Sequence, residues 1–142
     1  LYVPVFLERA KKNSVAPPIA SGHIRNGRQT FYAYHWLIRR DGRIERLLDD
    51  REIGWHAGNW DVNCRSVALC FDDDLEEISP TPHALDAAAR ILQTSYASVP
   101  PERIFAHREI NPKTTCPGER FFDDWKRKLI AIPSSTHRPQ GR

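Results

Sequence analysis

The stretch TFYAYHWLIRRDGRIERLL, residues 30–48, constrains the fold more than any other part of the sequence. It consists of two strand-like runs, rich in β-branched and aromatic residues, joined by Asp41-Gly42. This dipeptide favours a two-residue hairpin turn, because both central residues of such a turn need positive φ. The stretch therefore predicts a β-hairpin, and any fold proposed for this chain must contain it.

Two more strands are predicted in the first half of the chain. LYVPVFLERAKKNSV, residues 1–15, begins as an apolar, strand-like run and becomes compatible with a helix from about Phe6. DDREIGWHAGNWDVN, residues 49–63, has the composition of an ordered loop. It leads into RSVALCF, residues 65–71, which we predict to be a strand that ends at three consecutive aspartates.

Two helices and a short strand are predicted in the second half. Thr81-Pro82 provides an N-cap and a first helical residue. The helix that follows is expected to bury Leu85, Ala88, Ala89, Leu92 and Tyr96, which recur at helical spacing. RIFAH, residues 103–107, is expected to form a short strand. The last helix is expected to bury the face formed by Phe122, Trp125 and Leu129.

Strands mixed with helices in a chain of 142 residues predict a single α/β domain, with a central mixed β-sheet flanked by helices. We place this domain at residues 1–132, with an N-terminal strand that could be incomplete. The remainder, residues 133–142, is polar and contains proline, so we expect a disordered tail.

The charge balance excludes some classes of partner. The chain has 21 Lys and Arg residues against 18 Asp and Glu, a formal charge of +3 without the clustered basic stripe of a nucleic-acid reader. No apolar stretch in the sequence approaches the ~18 to 20 residues that cross a bilayer. We therefore expect no nucleic-acid partner and no membrane span. We also expect a monomer.

The segment AHREINPKTTCPGERFF, residues 106–122, contains a histidine and a cysteine that could share a metal. An imidazole nitrogen and a thiolate sulfur are both good ligands of Zn²⁺, and the loop of Asn, Pro, Lys and Thr between His107 and Cys116 can fold back to bring them together. The other two cysteines, Cys64 and Cys70, lie at opposite ends of a predicted strand, too far apart for a disulfide. Without a metal, the pair would be a strand-end histidine and a buried thiol.

Three motifs, YHWLIRRDG, GWHAGN and AHREINPKTTCPG, in this order, resemble the type 2 N-acetylmuramoyl-L-alanine amidases. Phage amidases and peptidoglycan recognition proteins share this zinc amidase fold. The resemblance extends from about Phe31 to Phe122. It implies a cleft in which two histidines and a Cys or Asp hold zinc, with His107 and Cys116 as the second and third ligands. Three protein ligands leave a position open for water or substrate, as a catalytic zinc requires.

The resemblance also implies a role for Tyr34, whose hydroxyl would contact the zinc-bound water or the oxyanion. Strand geometry separates this residue from its neighbour, because successive side chains of a strand point to opposite faces. Only one of Tyr34 and His35 can then face the metal. We assign Tyr34 to the catalytic side and expect His35 to be structural, with its ring bonded to a nearby carbonyl.

Two further site residues follow from the resemblance. Thr114 matches a position where family members carry Lys or Thr, either of which can donate a hydrogen bond to developing negative charge. His56 matches a cleft histidine that could bind substrate or stabilise the tetrahedral intermediate. Beside it, Trp55 and Trp60 offer flat faces on which sugars or peptides could pack, or they anchor the loop to the core.

One expected ligand has no counterpart in the sequence. The family's first zinc histidine lies at the end of the first core strand, which corresponds here to LYVPVF, where no histidine stands. Either a histidine precedes Leu1 in a longer chain, or His23 in the loop SGHIRNG replaces it. We expect the first explanation, since the sequence does not begin with Met and a loop flanked by glycine holds a ligand less firmly than a strand end.

The expected function is zinc-dependent hydrolysis of the amide that joins the lactyl group of N-acetylmuramic acid to L-alanine, in peptidoglycan or muropeptides. An alternative is a module that binds peptidoglycan without cleaving it. Family members of that kind have lost the cysteine ligand, so the presence of Cys116 favours the enzyme. A purely structural metal is a third interpretation.

Overall fold

The computed structural model describes residues 2–4 and 23–133. The strands of this part of the chain are β1 (Tyr2–Pro4), β2 (His23–Arg25), β3 (Arg28–Thr30), β4 (Trp36–Ile38), β5 (Ile44–Arg46) and β6 (Ser66–Phe71). Its α-helices are α1 (Trp60–Arg65), α2 (Pro82–Ser95), α3 (His107–Ile110) and α4 (Lys126–Ala131). The predicted helix-compatible run after Phe6 and the predicted disordered tail beyond Pro133 lie outside the described residues.

The central sheet has four strands in the order β1-β6-β4-β5. β6 pairs antiparallel with β1 and parallel with β4, and β4 pairs antiparallel with β5. A separate two-stranded hairpin is formed by β2 and β3. The combination of parallel and antiparallel pairs with helices confirms the predicted fold class. Among the described helices, none has both the length and the apolar character needed to span a bilayer.

The hairpin predicted at Asp41-Gly42 is present, but its loop is one residue longer than predicted. The Arg39 N–H donates to the Arg43 carbonyl and the Gly42 N–H to the Arg39 carbonyl, both at 2.9 Å. Of the two expected turn residues only Gly42 has positive φ, at +87°. This is the pattern of a three-residue hairpin loop with glycine in the left-handed position.

Helix α2 packs on the sheet through a face that is largely alanine. The five residues predicted for this face are all buried, with Leu85 7% and Leu92 9% exposed. The Thr81 hydroxyl accepts a hydrogen bond from the Ala84 N–H at 3.2 Å and donates to the Arg40 carbonyl. The predicted N-cap thus begins the helix and also attaches it to the β4–β5 hairpin.

The last helix buries a different phenylalanine from the one predicted. Phe121 is fully buried with Trp125 and Leu129, whereas Phe122 is 42% exposed. The chain enters α4 through a π-helical turn, Phe121–Trp125, so the buried residues recur at a spacing of four. The expected face, which began at Phe122, was therefore wrong by one residue.

Two other predictions of secondary structure were wrong. The expected loop at residues 49–63 ends in α1, where the Asn59 side chain accepts from the Val62 N–H at 3.2 Å. Cys64 therefore lies in a helix and not at the start of a strand. RIFAH does not form a strand, because its first residue ends a 3₁₀ turn, Pro101–Arg103, and its last begins α3. Both segments are too short for hydrophobic periodicity to indicate a helix.

A partly buried hydrogen-bond chain joins the sheet to the end of α2. The Trp36 indole N–H donates to the Tyr96 hydroxyl at 2.9 Å, and this hydroxyl donates to Asp50 at 2.6 Å. Burial, together with the hydrogen bond to Asp50, raises the pKa of Tyr96 to about 12. The phenol of Tyr96 therefore holds its proton well above the pH at which an exposed tyrosine loses it.

The N-cap of α2 can be tested by Thr81→Ala. We expect the free energy of unfolding to fall by ~1 kcal/mol, because the Ala84 N–H loses its acceptor at a helix end. Thr94→Ala in the same helix is the matched control, since Thr94 is exposed and alanine favours the helix interior. Urea denaturation measures both variants, and equal losses would contradict the capping role.

The Tyr96 hydrogen bonds predict an alkaline dependence of stability. The pKa of Tyr96 is about 12 in the folded protein and ~10 in the unfolded chain. Its contribution is therefore complete below pH ~10 and is lost as the pH rises towards ~12. We expect Tyr96→Phe to be less stable at neutral pH by ~1 to 3 kcal/mol and to lose less stability over that alkaline range. Urea denaturation measures the free energy of unfolding against pH, with Tyr32→Phe as the control. If Tyr96→Phe loses as much stability over this range as the natural chain does, the prediction is refuted.

Candidate active site

The structure brings the predicted ligands His107 and Cys116 to one cavity. His107 begins α3, and the Arg108 N–H donates to the Cys116 carbonyl at 2.9 Å, which folds the intervening loop back on the helix. The two side chains line a cavity of about 160 Å³. Tyr34 and Cys70 also line it, so imidazole, thiol and phenol groups meet in one place.

His107 lies where its imidazole stays neutral. Burial lowers the pKa of this histidine, and its ring hydrogen-bonds to the backbone of Ala57. A neutral imidazole is the form that binds a metal, and a hydrogen bond from one ring nitrogen orients the other. The Ala57 backbone therefore acts on His107 as outer-shell carbonyls do on metal-binding histidines.

The Cys116 side chain belongs to a loop that is anchored on the far wall of the cavity. The Thr115 hydroxyl donates to the Glu76 carboxylate at 2.6 Å. A Cβ placed on Gly118 would lie 2.7 Å from the Glu76 carbonyl, so only glycine fits there. Burial, with the Glu76 charge as a further cause, raises the pKa of the Cys116 thiol. The thiol is therefore protonated at neutral pH until a cation displaces the proton.

Tyr34 and His35 point in different directions as predicted, although both residues precede β4 and neither lies in a strand. Tyr34 is half-buried and lines the cavity, and burial, followed by the Cys70 and Cys116 sulfurs, raises the pKa of its hydroxyl. His35 is fully buried; its Nε2 lies 2.9 Å from the Glu52 carbonyl, and its Nδ1 accepts from the Ala68 N–H at 3.2 Å. The predicted structural role of His35 is confirmed.

Thr114 and His56 do not line this cavity. The Thr114 hydroxyl accepts from the Cys116 N–H at 3.2 Å and so shapes the turn before the cysteine. His56 is 4% exposed, with its ring centroid 6.0 Å from that of His35. Its backbone N–H and that of Ala57 donate to the Asn63 side chain at 3.3 and 2.8 Å. The roles predicted for Thr114 and His56 stay predictions.

His23 does not fit the position of the remaining ligand. It is 2% exposed, its Nε2 lies 2.9 Å from the Ile53 carbonyl, and its Nδ1 accepts from the Tyr32 N–H at 3.3 Å. Both ring nitrogens are thus used by the backbone, whereas a metal ligand keeps one for the metal. Within residues 2–4 and 23–133, no third His, Cys, Asp or Glu completes a metal-binding group. The expected histidine before Leu1 stays a prediction.

Some cavity residues were missed by sequence reasoning. All three cysteines are free thiols, but Cys70 was not expected to face Cys116. Its thiol lines the cavity, and burial, with the charge of Cys116 as a further cause, raises its pKa. Three carboxylates after β6 also line the cavity, from Asp73, Asp74 and Glu76. The run of aspartates was visible as a strand end, but nothing in its spacing relates it to the loop after α3.

Comparison with known proteins defines the class. The profile of the N-acetylmuramoyl-L-alanine amidase family matches residues 8–119, so the chain belongs to this family. The family prediction is confirmed.

Two curated relatives and one solved structure illustrate the similarity. The 1,6-anhydro-N-acetylmuramyl-L-alanine amidase AmpD of Haemophilus influenzae is 29% identical over 107 residues, 69% of this chain and 57% of that protein. An endolysin of Enterobacteria phage K11 is 32% identical over 89 residues, 59% of this chain and 57% of that protein. The amidase LysC from Clostridium intestinale superimposes with a TM-score of 0.55 at 26% identity, covering 70% of this chain and 66% of that one. The chain thus spans under two thirds of the length of the relatives it matches.

The two donor groups at the cavity, the imidazole of His107 and the thiol of Cys116, fit zinc. An imidazole nitrogen and a thiolate sulfur are both ligands that zinc prefers, and the cavity leaves room for a further group. His107 and Cys116 would supply two of the three protein ligands that a catalytic zinc needs.

The ligand assignment can be tested by Cys116→Ser. We expect the affinity for zinc to fall at least ~100-fold, because a neutral hydroxyl replaces a thiolate. Cys70→Ser is the matched control, since Cys70 lines the same cavity. Zinc affinity is measured by competition with a chromogenic chelator, and cobalt substitution reports the thiolate by its charge-transfer absorption. Unchanged affinity in Cys116→Ser, or an equal loss in Cys70→Ser, would refute the assignment.

Proposed function

We propose that the chain hydrolyses the amide bond between the lactyl group of N-acetylmuramic acid and L-alanine, in peptidoglycan or muropeptides, with zinc as cofactor. The observation that carries this proposal is that His107, Cys116 and Tyr34 line one cavity. The family match supports it, as do the relatives named as an amidase and an endolysin. We propose that the enzyme acts as a monomer.

His107 and Cys116 would hold the metal. The lowered pKa of His107 keeps its imidazole neutral, and the backbone of Ala57 orients the ring. Cys116 would give up its proton on binding, so metal affinity should rise with pH. When bound, zinc supplies Lewis acidity towards the scissile carbonyl and towards a water molecule. The third protein ligand would be the histidine expected before Leu1.

Tyr34 would stabilise the negative charge that develops on the carbonyl oxygen. Its raised pKa keeps the hydroxyl protonated, so at neutral pH it is a hydrogen-bond donor. A donor held in place before the reaction is most effective where charge appears only in the transition state. A half-buried phenol that lines the cavity meets this requirement.

Thr114 and His56 are proposed for supporting roles. The Thr114 oxygen accepts from the Cys116 N–H, so its own proton is available to donate to developing negative charge. His56 is proposed as the substrate-binding histidine, because it lies in the loop whose Ala57 backbone contacts His107. Only 4% of His56 is exposed, so any contact with substrate must be made by its edge.

The test of the proposed function is incubation of the zinc-loaded protein with purified muropeptides, followed by mass analysis. Hydrolysis adds one water and yields a free lactyl carboxylate and a free amino group on L-alanine. Binding without these products would support the alternative, a module that holds peptidoglycan without cleaving it. Products cut at any other bond would refute the proposed specificity.

The role of Tyr34 predicts the effect of Tyr34→Phe. We expect kcat to fall by ~10²- to 10³-fold, since the variant loses one donor to the oxyanion and little volume. Zinc affinity should not change, because the tyrosine is not a ligand. Tyr32→Phe is the matched control, a partly buried tyrosine that does not line the cavity. If Tyr34→Phe and Tyr32→Phe have equal kcat, Tyr34 contributes only packing and the proposed role is refuted.

A further inference from the structure

The side chain of Asn63 reaches from helix α1 to the loop that contacts His107. Asn63 is 5% exposed. Its side-chain oxygen accepts hydrogen bonds from two successive backbone N–H groups, that of Ala57 at 2.8 Å and that of His56 at 3.3 Å. Bonds of this kind fix the course of the segment that donates them, because a buried N–H without an acceptor is costly.

Ala57 lies between Asn63 and His107. It is fully buried, its N–H donates to Asn63, and its backbone also hydrogen-bonds to the His107 ring. Burial lowers the pKa of His107, and the contact with Ala57 opposes this change. A contact that favours the protonated ring is one in which the ring donates, so the acceptor is the Ala57 carbonyl. Ala57 is therefore bound through its N–H on one side and through its carbonyl on the other.

The residues on either side of Ala57 are confined as well. The ring of His56 packs edge-to-face on that of His35, with the centroids 6.0 Å apart. Gly58 has a φ of +67°, and a Cβ placed on it would lie 2.6 Å from the Asn111 Nδ2. These contacts restrict the path of the loop, but the bond that reaches the Ala57 N–H itself comes from α1.

We propose that Asn63 is a positioning residue for the zinc ligand His107 and acts through the backbone of Ala57. This inference rests on the ligand assignment in the proposed function, and it adds a residue that does not line the cavity. The hydrogen bond at one ring nitrogen of a metal-binding histidine sets the tautomer and the direction of the other nitrogen. Asn63 holds the residue that provides this acceptor.

The test compares Asn63→Leu, which has a similar shape but no acceptor, with Asn59→Ala. Asn59 is the matched control, because its side chain also accepts a backbone N–H in this segment, but that of Val62, at 3.2 Å. The first readout is the ring ¹⁵N spectrum of His107 in the metal-free protein, assigned with His107→Gln. We expect one neutral tautomer in the natural chain and in Asn59→Ala, and a mixture of two tautomers in Asn63→Leu.

The second readout is zinc affinity, measured by competition with a chromogenic chelator. We expect Asn63→Leu to bind zinc about tenfold more weakly, the lower end of the effect of outer-shell partners, and Asn59→Ala to bind as the natural chain does. Asn63→Asp keeps an oxygen acceptor for both N–H groups, so it should restore the single tautomer and most of the affinity.

A single tautomer in Asn63→Leu, the same mixture in Asn59→Ala, or equal zinc affinity in Asn63→Leu and the natural chain would each overturn the inference. A third readout needs no variant to fold. The Ala57 amide of the natural chain should exchange slowly with deuterium, and exchange at the rate of an unstructured peptide would overturn the inference.

These outcomes are separate from those of the proposed function. The tautomer and the amide exchange are measured without metal or substrate, so a failure to cleave muropeptides refutes only the proposed hydrolysis. If no form of the chain binds zinc, the ligand assignment is wrong, and the tautomer of His107 still decides whether Asn63 positions its ring.

Discussion

The pairing of β4 with β6 is the contact on which the rest of the structure depends. Their parallel register aligns Trp36 with Leu69. His35 extends the pairing beyond β4, since its N–H donates to the Ala68 carbonyl at 3.0 Å and its ring accepts from the Ala68 N–H at 3.2 Å. Its other ring nitrogen lies 2.9 Å from the Glu52 carbonyl. One buried side chain thus joins two central strands to the loop that leads to the site, and desolvation makes each of these bonds costly to lose.

The candidate site follows from that pairing. Tyr34 precedes β4 and Cys70 lies in β6, so the two strands bring both to the cavity wall that His107 and Cys116 complete from a later loop. Burial shifts the pKa values of these groups in opposite directions, but every shift favours the uncharged form. It lowers the pKa of His107 and raises the pKa of Tyr34 and Cys116, and each change favours the neutral form. The cavity therefore presents an imidazole ready to bind a cation and a phenol ready to donate a hydrogen bond.

Sequence reasoning succeeded where a local pattern decides the structure. The β4–β5 hairpin, β6 and the buried face of α2 were predicted, because each depends on residues a few positions apart. It failed where a short segment takes its conformation from its surroundings. The last helix buries Phe121 and exposes Phe122, because a π-helical turn shifts the face that meets the core.

The sequence by itself determined the family, the mixed sheet with flanking helices, and the pair His107 and Cys116 as the residues to bring together. These follow from motif order and from hydrophobic spacing, which are properties of the chain alone. Only the tertiary structure decided that Cys70 shares the cavity with them and that His23 is committed to backbone partners. The physical reason is that side chains far apart in sequence meet only through packing, which residue spacing does not encode.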